Sequence, residues 1–289
     1  MTNLQDSESD VSTAGTADAP LFGVEAASAR SALLTILGEF VRPRGQAVWT
    51  STLLMALVEI GVEEKAGRQA ISRMAQEGLL ESERSGRRVR WSLTERGVTL
   101  LRTGAERIYG FLHAGREWDG RWLVVNVVVP ESQRSLRHHL RTQLTWLGMG
   151  SPSPGLWVVP DADKERLVLE VLEKLGLRDK AFAWTGTWVP VDDIRSLITA
   201  AWALDELADK YRDFTTWVTG LAPVTSTETF TAQVGLVHEW RRFPFLDPDL
   251  PSSLLPPDWP ARQALDAFVD RHALWRATAQ AQWDTWIGE

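Results

Sequence analysis

Apolar positions in the first hundred residues alternate between helical and strand spacing. Leu33, Leu34, Ile36, Leu37 and Phe40 recur at the helical period and predict a helix over residues 29–40. Arg42-Pro43-Arg44-Gly45 breaks it. Thr50 or Ser51, just after Trp49, can cap a second helix running through Leu53, Leu54, Leu57, Val58 and Ile60 to Gly61. Gly61 supplies a turn. In a third helix Val62, Ala66, Ala70 and Met74 form the inward stripe, supported by Ile71. Lys65, Arg68, Gln69, Ser72, Arg73 and Gln76 are left on the solvent face, and Gly78 ends the helix. Residues 79–84 and 88–93 read as two short strands around Ser85-Gly86, a turn dipeptide. A fourth helix over residues 94–108 enters at Thr94, with Leu100 and Leu101 inward.

Past Trp118 the pattern changes. Residues 121–129 predict a strong strand, 132–147 a helix with Leu136, Leu140 and Leu144 on one side, and 155–159 a short strand. Residues 161–175 follow as a helix and 181–189 as a strand. This alternation predicts a small α+β or ferredoxin-like domain, with one further strand weakly signalled near 147–151. From residue 191 the chain is helical over 191–219 and 227–242. Residues 243–260 hold six prolines and predict a rigid, irregular connection. Residues 261–287 close the chain as one helix or two. The expected fold class is multidomain α+β. It comprises an acidic disordered tail (1–27), a winged helix-turn-helix (28–110), a ferredoxin-like domain (118–190) and a helical C-terminal domain (191–289).

Charge changes this picture locally. The 289-residue chain has a net charge of -7, which by itself argues against nucleic acid. Yet residues 28–108 carry thirteen Lys or Arg against nine acids, whereas residues 1–27 carry five acids and no base. The basic portion is thus one domain. Cysteine is absent, so disulfides and thiolate metal sites are excluded and a reducing cytoplasm is expected. The longest apolar runs are too short to span a bilayer, and no secretory signal is expected. The 15 Trp fit core and interdomain packing, or in part an aromatic ligand pocket.

The solvent face of the third helix has the chemistry of a base reader. Arg68 can donate two bonds to guanine O6 and N7, and Gln69 can pair with adenine. Lys65 and Arg73 can neutralise phosphates or reach guanine, with Ser72 between them. Arg84, Arg87, Arg88 and Arg90 crowd the hairpin, where they can grip phosphates or enter a minor groove. A solvated helix face with a charged hairpin tip is the bland alternative. Turn, helix and basic wing in this order favour double-stranded DNA as partner.

Five segments carry a family resemblance: residues 29–80, GRRVRWSLTERG, residues 118–150, PGLWVVP and HEWRRFPFLDPDLPSSLLPPDW. In this order they resemble the PaaX family of bacterial transcriptional regulators, over nearly everything after Ala29. The resemblance implies a winged-helix N-terminal domain and a helical C-terminal domain. Between them it implies a ferredoxin-like domain similar to the CRISPR spacer-acquisition nuclease fold. It further implies a homodimeric repressor of phenylacetate-like catabolism, released from its operator by an aromatic acyl-CoA such as phenylacetyl-CoA. The alternatives are a regulator of an unrelated pathway with a different effector, or a nuclease or thioesterase using the central domain.

Nucleases of the similar fold hold a cation on an Asp near the end of the first strand. Here that strand contains Asn126, and Asp119 precedes it. No nucleophile elbow or Gly-rich phosphate loop is present, and His113, His138, His139, His238 and His272 lack metal-ligand spacing. No enzyme activity, cofactor or metal is therefore expected. Arg134, Arg137, His138 and Arg141 form a basic stripe, either a solvated or dimer face or a phosphate site. His238-Glu239-Trp240-Arg241-Arg242 is either a domain interface closed by an Arg–Glu pair or part of an acyl-CoA site. The candidate effector set is Arg134, Arg137, Arg141, Trp184, Trp188, His238, Trp240, Arg241 and Arg242, between the middle and C-terminal domains.

Overall fold

Ser28 caps the first helix by accepting from the Ser31 amide at 3.2 Å, and α1 (Ala29–Ile36) follows. The computed structural model describes residues 28–112, 118–191 and 193–288. The expected acidic tail and His113 lie outside the described residues. After α1 the helix widens into a π-helical turn, Leu37–Val41, which keeps Leu33, Ile36, Leu37 and Phe40 all in the core. A two-residue strand, β1 (Val48–Trp49), leads into α2 (Thr50–Glu59). Neither Thr50 nor Ser51 caps α2, because Trp49 holds the cap position without a side-chain bond. Thr50 instead donates to Val89 O at 3.0 Å and accepts from Trp91 Nε1 at 2.9 Å, tying α2 to the hairpin.

Gly61 turns the chain at φ 84°, and α3 (Glu64–Gln76) follows. β2 (Leu80–Ser85) and β3 (Arg88–Leu93) form the hairpin, with sheet order β1-β3-β2. Its turn is Gly86-Arg87, one residue later than expected, because Gly86 takes the positive φ of 61° that a two-residue turn needs. Thr94 caps α4 (Glu95–Gly110), as expected, accepting from the Gly97 amide at 3.1 Å. Gly97 sits so close to the preceding chain that a Cβ there would lie 2.2 Å from Leu79 O. Leu101 packs inward, but Leu100 on α4 and Val58 on α2 are exposed, contrary to the helical pattern.

β4 (Arg121–Val127), α5 (Arg134–Trp146), β5 (Gly150–Ser153), β6 (Leu156–Val159), α6 (Glu165–Lys174) and β7 (Ala181–Thr187) form the middle segment. Its sheet is antiparallel with order β5-β6-β4-β7. β5 is the weakly signalled strand; its Gly-Ser-Pro-Ser sequence offers no apolar alternation. Leu123, Val125 and Val127 face α5 and α6, packing with Leu140, Leu144, Val168 and Leu172. Trp122 and Val158 face the other way, towards α7 (Ile194–Ala201) and Leu250 and Leu254. β7 is an edge strand, with Phe182 73% and Trp184 50% exposed.

The long helix expected from residue 191 is interrupted at Trp202-Ala203, after which α8 (Leu204–Gly220) begins. The Trp202 ring lies flush on Gly150, where a Cβ would come within 2.5 Å of it. α9 (Ser226–Trp240) starts with a Thr225–Glu228 capping box and is buried along nearly its whole length. One-turn α10 (Phe243–Leu246) opens the proline-rich connection, and α11 (Ala261–Gly288) is a single helix of 28 residues. Among the described residues no helix is long and apolar enough to cross a membrane.

The cores tie the two ends of the chain together. Phe40 lies 4.8 Å from the Phe230 ring and 5.4 Å from the Trp283 ring, centroid to centroid. The same cluster holds Leu57, Ile71 and Met74, so the last turns of α11 complete the packing beneath α1, α2 and α3. Thr52 donates to Trp286 O at 3.2 Å, and Arg44 pairs with Asp284 at 2.5 Å and also bonds Gln280. A second cluster centres on Tyr211, Trp240 and Phe268.

Candidate functional site

Gly67, Ala70, Ile71 and Met74 are the buried residues of α3. Gly67, rather than the expected Ala66, makes the closest approach: a Cβ there would lie 3.0 Å from Leu54 and 3.1 Å from Leu57 on α2. The opposite face exposes Lys65, Arg68, Gln69, Ser72, Arg73 and Gln76 together, as the periodicity predicts. Arg68 is held by Glu64 one turn back, at 2.5 Å for Nη2 and 3.0 Å for Nε. Both partners are well exposed, so the pair contributes little stability and competes weakly with an incoming phosphate or base. At the far end, Arg30 on α1 binds Glu77 at 2.6 Å, holding this carboxyl below its usual range. Among the described residues Lys65 and Arg73 have no ion-pair partner.

The four hairpin arginines do not share one face. Strand register pairs Glu83 with Arg90 and Arg84 with Val89. Arg90 and Arg88 therefore point to one side and Arg84 to the other. Arg90 forks onto Glu83 at 2.8 and 3.0 Å, and this hydrogen-bonded carboxylate raises the Arg90 pKa. Arg88 stacks on Trp49, its Cζ 4.5 Å from the ring centroid. Arg87 occupies the turn itself, exposed, and with Arg84 has no ion-pair partner among the described residues.

The residues expected to bind an effector are dispersed. Arg134, Arg137 and Arg141 lie exposed on α5. Arg141 edges a cavity of about 310 Å³ that also takes in Trp157, Trp202 and Lys210. Arg137 and Arg141 both border a second cavity of about 660 Å³, which shares Trp157 with the first. Trp184 stands on the free edge of the sheet, and Trp188 packs against the cluster of Trp122, Val158 and Ile198. Trp240 is fully buried, stacked on Phe268 with its indole donating to Ile108 O at 3.1 Å, so it is core and offers no face to a ligand. His238 lies buried 3.3 Å from Thr35 Oγ1; burial and the charges of Arg241 and Arg242 lower its pKa to about 4. Arg241 donates to Ser31 and Thr35, and Arg242 pairs with Glu239 at 2.9 Å. The segment from His238 to Arg242 is thus an interface with α1, with the Arg–Glu pair at its rim.

A buried polar cluster surrounds Glu39, which the hydrophobic pattern does not reveal. One carboxylate oxygen accepts from Tyr109, and the other lies 3.0 Å from His272 Nε2 and 3.4 Å from Gln233 Nε2. Burial pushes the Glu39 pKa up, but the hydrogen bonds and charge of His272, with Tyr109 and Gln233, outweigh it and hold the pKa below its usual value. Desolvation, then the Glu39 charge, raise the Tyr109 pKa. The available signal was a lone acid among the apolar positions of residues 33–41. Asp119 accepts from Arg121 through its amide at 2.9 Å and Nε at 2.6 Å, in the turn before β4.

Three family models match consecutive parts of the chain. "PaaX-like protein" covers residues 28–97, "PaaX protein central Cas2-like domain" 115–198 and "PaaX-like protein C-terminal domain" 202–285. The chain belongs to the PaaX family. It is 28% identical over 255 residues to the "Transcriptional repressor PaaX" of Escherichia coli (strain K12), covering 84% of this chain and 79% of that protein. An uncharacterized protein from Mycobacterium tuberculosis has a similar structure, with a TM-score of 0.61 and 22% identity. The match covers 89% of this chain and 99% of that one, and it bears on fold alone. The family accounts for the dispersed arrangement: α3 with its hairpin lies in the first matched part, the α5 arginines in the second, and His238–Arg242 in the third.

Proposed function

We propose that this PaaX-family protein is a ligand-responsive transcriptional repressor that reads double-stranded DNA. In this reading residues 28–110 are a winged helix-turn-helix and the β4–β7 segment is a ferredoxin-like domain. The observation that carries the reading is the row Lys65, Arg68, Gln69, Ser72 and Arg73 on the solvent face of α3, next to a basic hairpin, in a chain of net charge -7. The name of the Escherichia coli relative, a transcriptional repressor, adds to it. α3 enters the major groove with Arg68 and Gln69 on base edges, while Arg84, Arg87, Arg88 and Arg90 follow the backbone from either side of the wing. Two copies in a homodimer read an inverted repeat. The unpaired edge of β7, with exposed Phe182 and Trp184, is a surface suited to such pairing.

The proposed effector is an aromatic acyl-CoA such as phenylacetyl-CoA, controlling an aromatic-acid catabolic operon. The two cavities that share Trp157 support that placement, because Arg137, Arg141 and Lys210 border them and can meet the nucleotide phosphates. The ligand releases DNA only through its differential affinity for the two dimer states.

Fluorescence anisotropy with the DNA upstream of the protein's own gene tests the proposal. Arg68→Ala should cost about 1–3 kcal/mol and relax specificity at one base pair. Unchanged affinity would remove Arg68 as a base reader, and release by an unrelated metabolite but not by aromatic acyl-CoA would redirect the effector.

A further inference from the structure

α1, its π-helical turn, α4 and the end of α9 line a half-open cavity of about 260 Å³ that lies apart from the α5 arginines. Leu34, Leu101 and Ile108 supply apolar wall, and Arg30 and Arg241 supply positive charge. An apolar cavity of about 150 Å³ is enough to hold benzene, so this one has room for a ring with a short substituent, though not for a whole coenzyme A thioester. Gly38 and Gly104 keep it open. A Cβ at Gly104 would meet nothing within 4 Å, and one at Gly38 only Leu101 at 3.8 Å. Both glycines lie in helical segments, where Gly is the costlier choice, and neither has the positive φ that would require it.

Arg241 is largely buried at this cavity, and no carboxylate lies within ion-pair distance among the described residues. Its Nη1 donates to Ser31 O at 3.2 Å and Thr35 Oγ1 at 3.1 Å, and its Nη2 to Ser31 Oγ at 2.8 Å. These bonds fix the guanidinium, yet Nε–H and one Nη2 N–H lack a partner among the described residues. A partly buried cation held in place at a cavity, with spare donors and no carboxylate partner among the described residues, is suited to an incoming anion. Glu39 also borders the cavity, but its carboxylate is engaged by Tyr109, His272 and Gln233.

We propose that this cavity binds a small organic acid, an aromatic or compact aliphatic body in the apolar pocket and its carboxylate on Arg241 and Arg30. The proposal goes beyond the DNA-reading function and does not depend on it. It also supplies a link to α3. Arg30 is the residue that ties α1 to Glu77 at the end of α3, so a bound carboxylate competes with Glu77 for the same guanidinium.

Calorimetric titration of the full chain, without DNA, tests the site with benzoate and 4-ethylbenzoate against benzamide and 4-ethylbenzamide. The acids should bind the wild-type protein at least about tenfold more tightly than the amides, or 1.4 kcal/mol. Gly104→Leu should weaken the acids at least tenfold while leaving thermal stability unchanged or higher. Arg241→Met should erase the preference for acid over amide. Equal binding of acids and amides to the wild-type protein, acid affinity unaffected by Gly104→Leu, or no heat at millimolar acid would overturn the proposal.

Discussion

Replacing Trp283 with alanine should loosen the N-terminal head although the residue lies near the far end of the chain. The side chain is fully buried between Phe40, at 5.4 Å, and Phe230, at 6.3 Å and nearly parallel. An aromatic side chain of this kind removes roughly 150–250 Å² from water, worth about 4–6 kcal/mol at 25 cal/mol per Å². Each ring pair adds about 0.5–1.5 kcal/mol. Against this, the indole N–H is buried with no hydrogen-bond partner among the described residues. Deleting it recovers about 1–3 kcal/mol. The net loss should fall at about 3–5 kcal/mol, the usual range for Trp→Ala in a core. Trp283→Phe keeps most of the ring and sheds the orphan donor, so it should cost under about 2 kcal/mol on the same reasoning. Urea unfolding gives the global value. Hydrogen exchange read peptide by peptide then shows where the loss falls. Amides of α1 and α3 should lose protection by the same free energy as those of α11. If α11 loosens while α1 and α3 keep their protection, the shared core is energetically idle and the reasoning fails.

Three further outcomes follow from named contacts. Gly97→Ala places a methyl 2.2 Å from Leu79 O and should cost at least about 1–3 kcal/mol; a thermal melt at the wild-type temperature would refute it. Stability should fall on acidification, because unfolded His238 takes up a proton near pH 6.5 while the folded group resists until about pH 4. That difference is worth up to about 3 kcal/mol across this window. Glu39, held below the ordinary carboxyl range, adds to the loss at still lower pH, and His238→Gln should flatten only the upper part of the curve. Arg87→Ala should weaken binding to all DNA sequences alike and reduce the salt slope by about one, whereas Arg88→Ala also removes the stack on Trp49 and should lower head stability. A loss confined to one sequence for Arg87→Ala would make it a base reader.

The solvent face of α3 was legible because a charged face and a packed face alternate at one local period, and nothing distant alters that. Thr94 as the α4 cap was equally local. The hairpin turn slipped by one residue because Ser85 and Gly86 are both turn formers, and only the need for positive φ at Gly86 decides between registers. β1 escaped because two residues carry no period. Leu100 and Trp240 show the larger limit. Each sits on an apolar stripe, yet one is exposed and the other wholly buried, according to what the rest of the chain places beside it. The same holds for the candidate effector residues. Sequence chemistry grouped aromatic and basic side chains that the fold sends to a sheet edge, a solvent-facing helix, a core and an interface.

The last turns of α11 have a consequence for how the protein is made. A polypeptide emerges from the ribosome N-terminus first, and domains ordinarily fold as they appear. Here Phe40, Leu57 and Met74 wait for Trp283 and Trp286, so the head cannot finish its core until α11 has been made. A chain broken off before α11 would carry every arginine of the proposed DNA-reading surface on an unfinished support. Such fragments should be prey for proteases rather than competitors for DNA.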